Sequence, residues 1–163
     1  MMSAVILFAS VAVCGCFPGH HPISMSPQEQ EQATTLLRDA YAAFNRDDIP
    51  AAVKSLDPNI QWSEPVAFPG GGLYRGRTEV ARYLTNSRAN WAEGTSQPVQ
   101  FIVHDDRVVV YVHARFRLKD SATWTEVDLA DVYTFRNGKP VAMRAFADRQ
   151  AALQWVDAGP HRT

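Results

Sequence analysis

The chain has 163 residues, room for one domain, and 46% hydrophobic with 20% charged residues excludes a disordered or coiled-coil protein. Sixteen Lys and Arg against 17 Asp and Glu give a net charge of −1, without the basic excess of a dedicated nucleic-acid binder. The only cysteines, Cys14 and Cys16, are too close in sequence to staple a fold or to build a cysteine–zinc site.

Residues 1–24 contain no Lys, Arg, Asp or Glu, so every charge falls in residues 25–163. The run Ala4–Val13 is apolar except for Ser10 and too short to span a bilayer. Two readings fit. In one, residues 1–24 are a signal or lipoprotein segment, with Cys16 of Val13-Cys14-Gly15-Cys16 as the lipidated residue, and the protein is exported. In the other, they are a non-native extension before a true start at Met25, and the protein is cytoplasmic with no membrane contact.

Ser26-Pro27-Gln28-Glu29 reads as a helix start, with Ser as N-cap and Glu closing a capping box. Ala33, Leu36, Leu37, Ala40, Tyr41 and Phe44 continue it as one apolar face. A second helix is expected from Asp48 to Leu56, stopped by Asp57-Pro58. Ile60–Glu64 alternates like a strand and ends at Pro65. A Pro- and Gly-rich loop follows, then a third helix carrying Val80, Tyr83, Leu84 and Trp91. From Pro98 the period changes to two. Val99–His104 and Arg107–Leu118 flank Asp105-Asp106, and Trp124–Phe135 and Pro140–Ala147 flank the hairpin signal Asn137-Gly138. A last helix starts at Asp148, its N-cap. The order predicts an α+β domain, helices gathered on one face of a curved antiparallel sheet around a pocket.

Strand alternation then sorts the side chains. Ile60, Trp62 and Glu64 share one face, as do Val127, Leu129, Asp131, Tyr133 and Phe135. Two carboxylates thus lie on otherwise apolar faces. Val108, Val110, Val112, Ala114 and Phe116 point one way, and Val109, Tyr111, His113, Arg115 and Arg117 the other. The expected pocket lining is Trp62, Phe68, Tyr83, Val110, Val112, Phe116 and Met143. The mixed opposite face, with Tyr111, His113 and Arg115, suits a homodimer interface. The alternative for Asp131 is an ion pair with Arg115 or Arg144, and for Glu64 a solvated or loop-bracing role. Gly71–Thr78 matches a phosphate-binding loop apart from Arg77 in the lysine place, but no parallel βαβ unit surrounds it, so Gly70–Gly72 are expected as a flexible loop at the cavity mouth. His20 and His21 have no third ligand in view, and no metal site is expected.

Phe44-Asn45-Arg46-Asp47-Asp48-Ile49, Trp62-Ser63-Glu64-Pro65, Gly76-Arg77 and Tyr133-Thr134-Phe135-Arg136-Asn137-Gly138-Lys139, in this order and spacing, resemble the SnoaL-like and ketosteroid-isomerase-like proteins of the nuclear transport factor 2-like superfamily. The resemblance covers roughly residues 28–157. It implies a cone-shaped, cystatin-like fold and cofactor-free acid–base work, isomerase-like or polyketide-cyclase-like, on a small apolar carbonyl compound. Glu64-Pro65 matches the place of the family's catalytic base, and Asp131 that of its neutral oxyanion donor. A count back from Asn45 without a gap puts Ala40 where the family has its oxyanion-hole tyrosine, with Tyr41 about 100° further round the helix. Asp131, in mid-strand, is expected to hold its proton more tightly than Glu64. The alternatives to an enzyme are a non-catalytic binder of an apolar ligand and an accessory dimerisation domain.

Overall fold

A computed structural model describes residues 24–159. The signal, lipoprotein and lipidation readings, with Cys14, Cys16, His20 and His21, lie outside the described residues. Ten elements follow in order: α1 (Pro27–Asn45), α2 (Ile49–Val53), β1 (Gln61–Glu64), β2 (Gly72–Arg75), α3 (Arg77–Ala89), β3 (Trp91–His104), β4 (Arg107–Leu118), β5 (Trp124–Arg136), β6 (Lys139–Phe146) and α4 (Arg149–Asp157). None of the described helices is long and apolar enough to cross a membrane.

Local chemistry sets the helix starts and the last hairpin turn where expected, although α2 ends at Val53 rather than Leu56. Ser26 Oγ accepts from the Glu29 N–H, and the Ser26 N–H donates to Glu29 Oε2 at 2.8 Å, which completes the capping box. Asp48 and Asp148 cap α2 and α4 by accepting from Ala51 and Ala151. Asn137 and Gly138 both take positive φ in the turn between β5 and β6.

The strands form one curved six-stranded sheet in the order β2-β1-β6-β5-β4-β3. The sheet is mixed rather than wholly antiparallel, because β1 pairs in parallel with β6, Trp62 opposite Met143. Two strands differ from the expectation. Residues 72–75, expected within the Pro- and Gly-rich loop with Gly70–Gly72 at the cavity mouth, are an edge strand antiparallel to β1. That hairpin, and not a phosphate-binding βαβ unit, holds the glycine run. Trp91, expected on the third helix, opens β3, which runs eight residues earlier than its apolar alternation at Val99 suggests. Gly94 and Pro98 break that pattern, and an edge strand tolerates them at bulges: the register shifts between Trp91 and Glu93 and again between Pro98 and Gln100.

Nor do all helices lie on one face. On the inner face, Leu37 and Tyr41 of α1 pack with Val108, Val110, Val112, Tyr133, Phe135 and Met143. On the outer face, Ala152 and Val156 of α4 cover Val109, Ala130 and Val132. The unbroken Val108-Val109-Val110 run is the sequence mark of a strand buried on both sides.

Two glycines admit no side chain. A Cβ at Gly71 would lie 2.0 Å from the Pro65 carbonyl oxygen, so the 65–71 loop folds tightly on itself, closed by Gly71 N–H to Phe68 O at 2.8 Å. Gly94, with φ +148°, presses on β4, where a Cβ would come 2.5 Å from Phe116 Cα. Gly94→Ala is expected to cost about 1–3 kcal/mol through strain and overpacking. Urea unfolding checks this; a midpoint equal to wild type would show that β3 can shift away from Phe116.

Candidate functional site

β1 turns Trp62 and Glu64 to the same side, and the indole Nε1–H of Trp62 donates to Glu64 Oε1 at 2.7 Å. Tyr83, one helical face of α3, hydrogen-bonds to the same carboxyl group. Its ring stacks on Tyr74 of β2, centroids 4.5 Å apart. From β5 comes Asp131, 8% exposed, with Tyr133 two residues on. The Tyr41 hydroxyl of α1 donates to Asp131 Oδ2, and the Tyr133 hydroxyl donates to the Tyr41 oxygen at 3.4 Å. The Trp62 and Tyr133 rings meet edge to face, centroids 6.1 Å apart.

Both carboxyl groups border one cavity of about 180 Å³ between α1, α3 and the sheet. Of the expected lining residues, Trp62, Phe68 and Tyr83 border it with Glu64 and Asp131, and so do Tyr41, Tyr133 and Trp91. Val110, Val112, Met143 and Phe116 do not, which corrects the expected lining. Val110, Val112 and Met143 are fully buried in the core below. Met143 faces Trp62 across β1–β6 and Tyr133 across β5–β6, so the two rings roof it over. Phe116 lies flat against Trp91, 4.7 Å between centroids, and supports that ring from behind. A wider groove of about 620 Å³ on the far side of α1 mixes Glu31, Asp39, Arg46 and Lys54 and contains neither buried acid.

Asp131 pairs with neither arginine considered for it. Arg115 bonds Glu126 at 2.9 Å, and the Arg144 guanidinium lies over the Phe146 and Trp155 rings. Glu64 faces the cavity instead of bracing a loop. Tyr41, set aside by the gap-free count that put Ala40 in its place, is the tyrosine that reaches the acid. The signal was available: Ala33, Leu37 and Tyr41 recur every four residues on the buried side of α1, and a buried tyrosine hydroxyl needs a partner.

Burial sets the protonation of the two acids, because a low-dielectric site disfavours charge. It pushes Glu64 up to about 8; the Asp131 charge adds to the rise, and the bonds from Trp62 and Tyr83 oppose it. Burial also raises Asp131, to about 6, against the Tyr41 hydrogen bond that favours its charged form. The order is therefore the reverse of the one expected from depth alone. Between those values the pair carries one proton and one charge. Tyr41 and Tyr133 are raised well above the ordinary phenol range, first by burial, and stay neutral. Among the described residues no three His, Cys, Asp or Glu converge as a metal site requires.

The fold is α+β, of the nuclear transport factor 2-like, or cystatin-like, type. The family model for the SnoaL-like domain matches residues 37–143, and the chain belongs to that family. No curated protein matches it in sequence. It is similar in structure to a nuclear transport factor 2-like protein of unknown function from Burkholderia pseudomallei, with TM-score 0.65 and 24% identity over 77% of this chain and 97% of that one. TerC, crystallised with polyporic acid, gives TM-score 0.63 and 23% identity over 79% and 98%. A protein of ketosteroid isomerase-like fold from Catenulispora acidiphila, solved with trimethylamine, gives TM-score 0.62 and 14% identity over 83% and 100%. At these identities the likeness is one of fold.

The raised Glu64 has a consequence for stability. Its folded pKa, about 8, stands above the ordinary 4.5, so the folded state binds the proton more tightly. Its contribution is fully present below about pH 4.5 and is lost as pH rises through about 8. Glu64→Gln cannot ionise, so its stability relative to wild type should rise across that window. Urea unfolding at several pH values measures the difference; parallel pH curves for the two proteins would show that Glu64 is not raised.

Proposed function

We propose that the protein is a cofactor-free acid–base enzyme, isomerase-like or cyclase-like, that moves a proton at a carbon next to the carbonyl of a small, largely apolar compound. The observation that carries this reading is the pair Glu64 and Asp131 at one small cavity, sharing one proton and one negative charge near neutral pH. A volume of about 180 Å³ is below the usual range of drug-sized pockets, about 300–1,000 Å³, which points to a compact substrate. That two proteins of this fold were solved with small molecules, polyporic acid and trimethylamine, supports small-molecule binding here.

The protonation order exchanges the roles that the family resemblance implies. Asp131, ionised above about 6, takes the proton from carbon, with Tyr41 holding its carboxylate in place. The C–H electron pair moves to form the enol double bond. Glu64, protonated below about 8, donates to the carbonyl oxygen as negative charge develops there. Trp62 N–H fixes the direction of the Glu64 carboxyl. An isomerase returns the proton to a different carbon; a cyclase lets the enol carbon attack a second carbonyl.

The test is deuterium uptake next to the carbonyl of a small β,γ-unsaturated cyclic ketone, followed by NMR from pH 4 to pH 10. Wild type should give a bell with limbs near 6 and 8, reporting the ionised Asp131 and the protonated Glu64. Asp131→Asn should lose roughly 10²–10⁴ in rate. Glu64→Gln, whose amide can still donate, should lose less and lack the upper limb. Equal uptake in wild type and both variants would remove the acids from the reaction. A second reading, a non-catalytic pocket for an apolar ligand, is favoured by the commitment of the Tyr41 hydroxyl to Asp131 rather than to a ligand. It expects no uptake in any variant.

The homodimer reading stays with the outer face of β3–β5. There α4 reaches Tyr111, whose ring lies under Arg149 at 4.9 Å, while Arg115 sits over the exposed Trp124 at 3.9 Å, with His113 bonded to Asp128 at 2.9 Å. Such aromatic and arginine surface suits an interface. Sedimentation velocity should show a dimer that Arg115→Glu weakens; a wild-type monomer at high micromolar concentration overturns it.

A further inference from the structure

Among the described residues the two acids at the cavity have no counter-charge. Tyr41 bonds Asp131, Trp62 and Tyr83 bond Glu64, and all three donors are neutral. Neither acid forms an ion pair with a Lys, Arg or His among the described residues, and no basic side chain borders the cavity. The titratable groups facing the pair are Tyr41 from α1, Tyr83 from α3 and Tyr133 from β5. Arg88, near the end of α3, lies over the Trp91 ring with Cζ at 5.5 Å and is outside the lining. Trp62, Phe68, Tyr83 and Tyr133 supply the rest of the wall near the acids.

Aromatic side chains lining a cavity beside a carboxylate without a counter-ion favour one chemical class above others. Ring quadrupoles attract a soft organic cation, and the carboxylate supplies the opposite charge in a site where water competes poorly. A neutral ligand leaves the buried charge uncompensated, and an anion adds to it. We infer that the ligand of this cavity carries a cationic nitrogen: it is a small alkylammonium compound whose charge balances the Glu64–Asp131 pair. The inference deepens the proposed function, resting on the same site and adding an ammonium group to the carbonyl compound.

Choline, its neutral carbon isostere dimethylbutanol and the anion tert-butylacetate present the same apolar head with three different charges. Titrations of the full chain followed by NMR at pH 8.5 should give choline at least about tenfold tighter binding than the isostere, with the anion weakest. Choline affinity should fall several-fold at pH 5, where both acids hold protons, while the isostere stays unchanged. Glu64→Gln and Asp131→Asn should each weaken choline and spare the isostere; if the second variant fails to fold, the first alone decides. No choline binding, or choline no tighter than the isostere, overturns the inference. Choline preference with no deuterium uptake on any ketone keeps the inference and removes the catalytic reading. Uptake on a neutral ketone without choline preference does the reverse.

Discussion

The hydrogen bond from Tyr41 to Asp131 joins residues 90 positions apart and ties α1 to the middle of the sheet. Without a donor there, a carboxyl group 8% exposed would face apolar neighbours alone, at a cost of several kcal/mol if charged. With it, Asp131 keeps a charged form within reach of neutral pH. That charge in turn helps push Glu64 upward, across a cavity that neither residue spans by itself. One contact between helix and sheet thus ties α1 to the sheet and tempers the rise that burial imposes on Asp131.

The register of the sheet does the remaining positioning. β6 lies between β1 and β5, and Met143 is the shared partner of Trp62 on one side and Tyr133 on the other. The two aromatic rings close over it, so their polar ends and the acids beside them are held at the cavity and not in the core. The parallel pairing of β1 with β6 makes this possible, since it sets Trp62 level with Tyr133 and carries the end of β1, with Glu64, to the level of Asp131. A family match alone would not fix the chemistry, because one fold hosts many reactions.

Much of this was legible in the sequence. Caps, hairpin turns and the apolar faces bearing Glu64 and Asp131 follow from local rules that depend on near neighbours. What was not legible depended on distance or depth. Alternation assigns Val110, Val112 and Met143 to the inner face but cannot tell a cavity wall from the layer beneath it. The start of β3 was hidden by Gly94 and Pro98, which are breakers in an isolated strand and harmless at a bulged edge. The place of Tyr41 was missed because a gap-free count transfers one helix phase onto another, where a shift of one residue rotates the side chain by about 100°.

The charge pattern of β4 shows that the lack of a cation at the site follows from strand parity. Outward-facing residues include His113, Arg115 and Arg117, and each finds an acid on a neighbouring strand: Asp128, Glu126 and Glu93. Inward-facing residues alternating with them are Val112, Ala114 and Phe116. A slip of one residue in register would turn the arginines to the inner face that also carries Asp131 and the valines to the outer one. The same alternation that pairs the outer acids so fully therefore leaves the inner ones with tyrosine and tryptophan for company. Exposed pairs of this kind add little to stability, whereas an uncompensated buried acid subtracts from it. Such a local cost in an otherwise consistent sequence is the usual mark of a site kept for its chemistry.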